Sequence, residues 1–172
     1  MYKRQICIGE KLGRGNDRAI LETWRLGGRS PANLSEWGTS NRPKVAIDAN
    51  VFYDFSRDGS IGDPSRALLA DWLVDHIEIC YTGELPNEIS ENPSEEARKS
   101  HRIALTRFGE LSCDDCEFSD RLQDLAQVLP PPKNERDKAD RRHLARAIAG
   151  DADFFATRDK ALLGSDRKIR EK

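Results

Sequence analysis

Two short apolar runs, far apart in the chain, each give way to an acidic residue, and this pairing limits the fold more than any other feature. Lys44-Val-Ala-Ile-Asp48 is compact, rich in β-branched and small residues, and follows Pro43. It reads as a buried strand. Asp153-Phe-Phe-Ala-Thr157 reads as another, and Arg158-Asp159 follows it at once. Between them the chain alternates. Asp63-Pro64-Ser65 starts a helix expected to reach about His76. Ile77-Glu-Ile-Cys-Tyr81 alternates as a strand does. Residues 84–90 predict a short helix with Pro86 in its first turn. Asn92-Pro93-Ser94-Glu95-Glu96 starts a helix expected to reach about Phe108, with acids where the helix dipole favours them. Residues 109–118 offer at most a weak third strand. Residues 120–128 are helical and end at Pro130-Pro131-Pro132, and 135–149 is the clearest helix, stopped by Gly150. Strands alternating with helices predict an α/β fold with a mostly parallel sheet.

The chain has 172 residues, which suits one domain with some extra segment. Residues 1–42 differ from the rest. They are rich in Gly, Arg, Asn and Ser and read as an N-terminal extension or linker, with one short helix expected at 18–24, ended by Gly27-Gly28. Trp24 and Trp37 read as docking residues there, and Trp72 as core. The formal net charge of −2 gives no global nucleic-acid signature. The opening residues lack a signal-peptide core, and no run approaches the roughly 20 apolar residues of a membrane span. A cytoplasmic protein with reduced Cys7, Cys80, Cys113 and Cys116 is expected. Cys113-Asp-Asp-Cys116 is a lone CxxC without two further ligands at useful spacing, and reads as a solvated loop.

In a parallel α/β sheet, ligands bind beyond the carboxyl ends of the strands. Asp48, Asn50 and Asp159 stand there. Asp after a strand is also ordinary turn chemistry. The helix after Pro132 sharpens the case: Asp137, Asp140 and Leu144 fall on one face, apolar below and acidic in its first turns. Carboxylates beside a core need a partner, and a cation is one answer. Helix capping is the other, and suits Asp137 better than Asp140. Glu88 follows the second strand, with Glu84 as its competitor. Oxygen-only ligands favour Mg²⁺ or Mn²⁺ over zinc. Segment 133–146 is locally basic through Lys133, Arg136, Lys138, Arg141, Arg142 and Arg146, and Arg158 and Lys160 flank Asp159. Cations around an acidic crevice can hold phosphates. Lys138 and Arg142 read rather as members of a solvated face, and His143 as no general base.

Val45-Ala-Ile-Asp48-Ala-Asn50-Val-Phe resembles the opening strand of PIN domains. Asp140-Arg-Arg-His-Leu-Ala-Arg-Ala-Ile-Ala, then Ala152-Asp-Phe-Phe-Ala-Thr157-Arg-Asp159-Lys-Ala-Leu-Leu163, resembles their closing half. The resemblance implies a three-layer α/β/α sandwich over residues 43–172 and a metal-dependent ribonuclease using Mg²⁺ or Mn²⁺. It places the catalytic and metal-binding carboxylates at Asp48, Glu88, Asp140 and Asp159, with Asp137 as an auxiliary ligand. Asn50, Thr157, Arg141 and Arg158 are the expected substrate contacts, and Asp153 is expected to be structural. RNA is the implied substrate. Many bacterial members of the family are toxins held by small antitoxins, so an antitoxin or other protein partner, or a homodimer, enters the expectation. The family usually has one more strand after the Leu-Leu helix, which only Gly164–Lys172 could supply here. A C-terminally shortened domain, with a sheet edge left open or filled by a partner, is therefore expected. A PIN-like module that binds RNA without cleaving it is the competing reading. A phosphoacceptor receiver domain fits the Asp140 helix and Thr157-Arg-Asp159 poorly.

Overall fold

The computed structural model describes residues 22–25, 42–56, 63–165 and 169. Its sheet has five strands: β1 (Glu22–Arg25), β2 (Lys44–Ile47), β3 (Glu78–Thr82), β4 (Gly109–Leu111) and β5 (Phe154–Thr157). The spatial order is β1-β5-β2-β3-β4. Strands β5, β2, β3 and β4 are mutually parallel, and β1 joins the outer edge of β5 antiparallel. The helices are α1 (Ala49–Asp54), α2 (Asp63–Arg66), α3 (Asp71–Val74), α4 (Glu84–Glu91), α5 (Glu95–Leu105), α6 (Asp115–Val128), α7 (Glu135–Ala149) and α8 (Lys160–Gly164).

Successive strand residues point to opposite faces of a sheet, and each face here has its own core. Ala46, Cys80 and Phe155 pack with Leu125 of α6 and Leu144, Ala145 and Ala147 of α7. Val45, Ile47 and Ala156 pack on the other side with Val51 and Phe52 of α1, Leu85 and Ile89 of α4 and Leu105 of α5. The result is the expected α/β/α sandwich. Close packing of α7 on β4 requires Gly150. A Cβ there would meet the Leu111 side chain at 2.6 Å. Asp153 is structural, as expected. Its carboxylate accepts the Lys44 N–H at 3.0 Å and so joins the starts of β5 and β2.

Three local expectations change, and one helix is added. The helix expected at 18–24 gives way over Glu22–Arg25 to strand β1, registered from Glu22 on Thr157 to Arg25 on Phe154. An open edge of β5 exposes unpaired N–H and C=O groups, and this stretch pairs with them. The outer edge of β5 is therefore filled by the chain's own N-terminal segment. The single helix expected from Asp63 to His76 is broken. Ala67–Leu69 form a 3₁₀ turn, and Ala70 is extended at φ −64°, ψ 136°. Its apolar residues do not keep to one helical stripe, so tertiary packing takes them in separate turns. Helix α1, which begins directly behind Asp48, had no sequence expectation. The CxxC segment is a helix start rather than a loop. Asp114 caps α6 through Cys116 and Glu117, and Cys113 Sγ accepts from Arg146 Nη1 at 3.7 Å. The expectations for Cys7, Gly27-Gly28, Trp37 and the side chains of Trp24 and Trp72 lie outside the described residues. So does most of the stretch after α8. Among the described residues, no helix is long and apolar enough to cross a membrane.

Candidate active site

The parallel pairing of β2 with β5 builds the first part of the site. Ile47 lies beside Ala156, and Asp48 N–H continues the ladder to the Ala156 carbonyl at 2.9 Å. This brings Asp48 and Thr157 side by side where both strands end. Asp48 is fully buried. Its Oδ1 accepts from Ala49 N at 2.8 Å, which caps α1. Its Oδ2 accepts from Asn50 Nδ2 at 2.5 Å and from Thr157 Oγ1 at 2.6 Å. Thr157 Oγ1 in turn accepts from Asp159 N–H at 3.0 Å, and Asn50 Oδ1 from Arg158 N–H at 3.1 Å. Asp159 Oδ1 caps α8, accepting from Ala161 and Leu162 N–H at 2.8 Å each. Turn chemistry and site chemistry thus coincide here. The same carboxylates that start helices also face the strand ends.

Helix α7 supplies the second part. Asn134 caps it through Asp137 N–H. Asp140 is 9% exposed and accepts no hydrogen bond from any described residue. Burial, and then the negative charges of Asp48 and Asp159, push its pKa up to about 7, against partial relief from Arg136 and His143. Burial also raises Asp48, opposed by His143 and by the Thr157 and Ala49 hydrogen bonds. Three carboxylates therefore share one electrostatic neighbourhood, and one of them lacks any hydrogen-bond compensation.

Glu88 on α4 is held differently. Its Oε1 lies 2.8 Å from His143 Nε2, and His143 Nδ1 lies 2.9 Å from Thr82 Oγ1. His143 is fully buried. Its pKa is raised: burial lowers it, but the Glu88 hydrogen bond and the Asp48 and Glu88 charges outweigh that. His143 thus ties Glu88 of α4 to Thr82 at the end of β3. Glu84, the competitor, has both oxygens engaged, with Arg142 Nε at 2.8 Å and Arg146 Nε at 2.9 Å. Glu88 keeps its second oxygen free of any hydrogen bond to the described residues. One helical turn separates the two acids: α7's arginines take Glu84, and His143 takes one oxygen of Glu88.

These groups meet at a cleft of about 1240 Å³ between α1, α4, α7 and the β5–α8 turn. Glu88, Asp140, Asp159, Asn50 and Arg158 line it, with Asp48 and Thr157 buried behind. Two expected residues are not brought in. Asp137 Oδ2 accepts from Lys133 N–H at 2.8 Å and secures the start of α7. Arg141 donates to the Pro130 carbonyl, tying α7 to the preceding loop. Arg158 reaches the cleft while bound to Asp54, a buried carboxylate that Ser65 Oγ also meets at 2.8 Å. Lys138 pairs with Glu135 at 2.5 Å, the solvated pairing its position suggested. Arg136, Arg142 and Lys160 line the cleft instead, together with Tyr53 and His101. Arg136 was legible as part of a basic helix, whereas Arg142, read as part of a solvated face, instead pairs across to Glu84 of α4 at the cleft. Tyr53 and His101 carried no sequence signal.

The donor set suits a hard divalent cation in charge and chemistry. Asp140, with no hydrogen bond from the described residues and two anionic neighbours, is the observation that favours one. Among the described residues no three His, Cys, Asp or Glu side chains are gathered so that they could hold one ion. An ion of the Mg²⁺ type would not need such a cluster. Such an ion takes one or two carboxylates and completes its shell with water and substrate phosphate rather than a protein cage. A family model described as PIN domain matches residues 44–161, which spans the sheet from β2 to β5 and every cleft carboxylate. Comparisons with curated proteins and with solved structures gave no match.

Proposed function

From the premise that this chain belongs to the PIN domain family, we propose that it is a metal-dependent endoribonuclease that hydrolyses RNA phosphodiester bonds. PIN domains are generally nucleases, and they typically use divalent metals. The observation that carries the reading for this chain is Asp140, buried beside Asp48 and Asp159 with no hydrogen bond from the described residues. A carboxylate that lines the cleft beside two other anions is stabilised by a cation more than by any described neighbour.

In this proposal Asp48, Asp140, Asp159 and Glu88 are the catalytic and metal-holding acids. When bound, Mg²⁺ or Mn²⁺ would supply positive charge to the attacked phosphate and acidify a nearby water. The chain's own residues do the rest. Asn50 and Thr157 fix the orientation of Asp48, and His143 fixes that of Glu88. Arg136, Arg142 and Lys160 line the cleft as phosphate contacts, joined by Arg158 from its Asp54 anchor. Asp137 and Arg141 act through the placement of α7. RNA is the substrate, and the setting is the cytoplasm. The narrower form, a toxin restrained by a small antitoxin or acting as a homodimer, belongs to the same proposal. The test is cleavage of single-stranded RNA with Mn²⁺, by the wild type and by Asp48→Asn. Cleavage is expected only with the metal, and it should be lost in the variant without loss of fold. Cleavage that survives excess chelator, or survives in Asp48→Asn, refutes it. RNA binding without cleavage under any divalent ion would leave a binding module instead.

A further inference from the structure

The cleft's two walls differ in chemistry. The wall built by α7 and the β5–α8 turn carries Arg136, Arg142, Arg158 and Lys160. The wall built by α1, α4 and α5 carries Tyr53, Asn87, His101 and, just past α4, Asn92, set among the α4 acids Glu84, Glu88 and Glu91. Cations hold phosphates. A π-face flanked by amides has another natural ligand, a base lifted from a single strand.

Tyr53 stands one helical turn from Asn50 on the same face of α1, and Asn50 holds the Asp48 carboxylate at 2.5 Å. The ring is therefore adjacent to the acidic centre, close enough for the Glu88 charge to act, after burial, on its phenol. It is also braced. The His101 ring meets it edge-on, with centroids 5.0 Å apart and planes at 62°, and His101 packs on Phe52 at 5.9 Å. His101 Nδ1 is buried without a partner among the described residues, so ring packing holds this histidine on that side. Asn92 Oδ1 accepts from Ser94 N–H at 3.0 Å, which leaves its amide hydrogens for a base edge.

We propose that Tyr53, braced by His101, is a stacking platform for one nucleobase of single-stranded RNA next to the bond to be cut, with Asn87 and Asn92 at the base's edges. The proposal rests on the ribonuclease reading above. It assigns the two walls separate tasks: backbone phosphates on the α7 side, one base on the α1 side.

The experiment uses the full chain in excess chelator, which keeps the strand intact. The probes are a short single-stranded RNA carrying one 2-aminopurine, moved position by position, and matched strands with an abasic site at each position. At one position, binding should quench 2-aminopurine fluorescence, and base removal should weaken binding. Tyr53→Leu should weaken the intact strand about tenfold, within the range of base–aromatic stacking. The strand abasic at that position should bind Tyr53→Leu and wild type equally, and Tyr53→Phe should keep the quench. RNA bound with no position-dependent quench or base dependence overturns the platform alone. So does Tyr53→Leu weakening intact and abasic strands equally. If Tyr53→Leu does not fold, the wild-type and Tyr53→Phe fluorescence decide the matter. No RNA binding in chelator, nor by the cleavage-deficient Asp48→Asn with Mn²⁺, overturns the platform together with the ribonuclease reading.

Discussion

Replacing Asp140 by Asn should make the metal-free protein more stable. Burial and the charges of Asp48 and Asp159 raise the Asp140 pKa from 3.8 to about 7. A raised native pKa means that the folded state holds its proton more tightly than the unfolded chain. Stability therefore falls as pH rises between those two values and stays low above them. The shift of about three units, at about 1.36 kcal/mol per unit, sets a ceiling of about 4 kcal/mol. Water in the open cleft screens part of it, leaving roughly 2–4 kcal/mol. Asn is nearly the same shape and stays neutral, so it escapes this penalty. In a domain of this size the gain corresponds to a melting shift on the order of 5–15 °C at about pH 8. Thermal unfolding of both proteins in chelator, at about pH 8 and about pH 4, measures it. The two should differ at the higher pH and converge at the lower. A variant that melts at or below the wild type at the higher pH, or a gap unchanged by acid, would refute the electrostatic reasoning.

Thr157→Val removes the hydroxyl that donates to Asp48 Oδ2 at 2.6 Å. A loss of roughly 1.5–3 kcal/mol in urea denaturation is expected at neutral pH. An unchanged midpoint would mean that this contact does not order the site. Glu84→Gln weakens the clamp between α4 and α7, with an expected loss of about 2 kcal/mol at neutral pH. Burial raises the Glu84 pKa, but hydrogen bonds from Arg146 and Arg142 outweigh it and hold the group below its ordinary 4.5. Its stabilisation is thus full above about 4.5 and lost as pH falls through the lower native value, so the deficit of the variant should shrink by about pH 3.

The sequence was most legible where one local signal met no competitor. Helix α7, Glu135–Ala149, lies between the run of prolines and Gly150, and its bounds agree with the pattern. Strands β2, β3 and β5 were legible because buried parallel strands are short apolar runs, and each is followed by polar turn chemistry. Strand β1 was not legible. Residues 20–24 carry apolar groups that suit a helical turn, and only the open edge of β5, supplied by distant sequence, makes a strand of Glu22–Arg25. Helix α1 was hidden because Asp48 reads equally as the end of a strand and as a cap. Tyr53 went unseen with it.

Within the site, Asp48, Asp140 and Asp159 were visible from position and periodicity. The difference between Glu88 and Glu84 was not. It depends on which acid meets Arg142 and Arg146 across the interface between α4 and α7, and no local pattern records that. Asp137 and Arg141 lie on α7 at spacings as suggestive as that of Asp140. Their contacts with Lys133 and Pro130 go backwards, into the loop ahead of the helix.

The most direct test of the account is the rate of single-stranded RNA cleavage as Mn²⁺ is titrated, in the wild type and in Asp140→Asn. The wild type should show no cleavage in chelator and a rate that rises and saturates with the metal. Asp140→Asn, although the more stable protein, should cleave at least a hundredfold more slowly (a loss of about 2.7 kcal/mol in transition-state stabilisation). Wild-type cleavage that needs no metal, or an Asp140→Asn variant that cleaves as the wild type does, would contradict it.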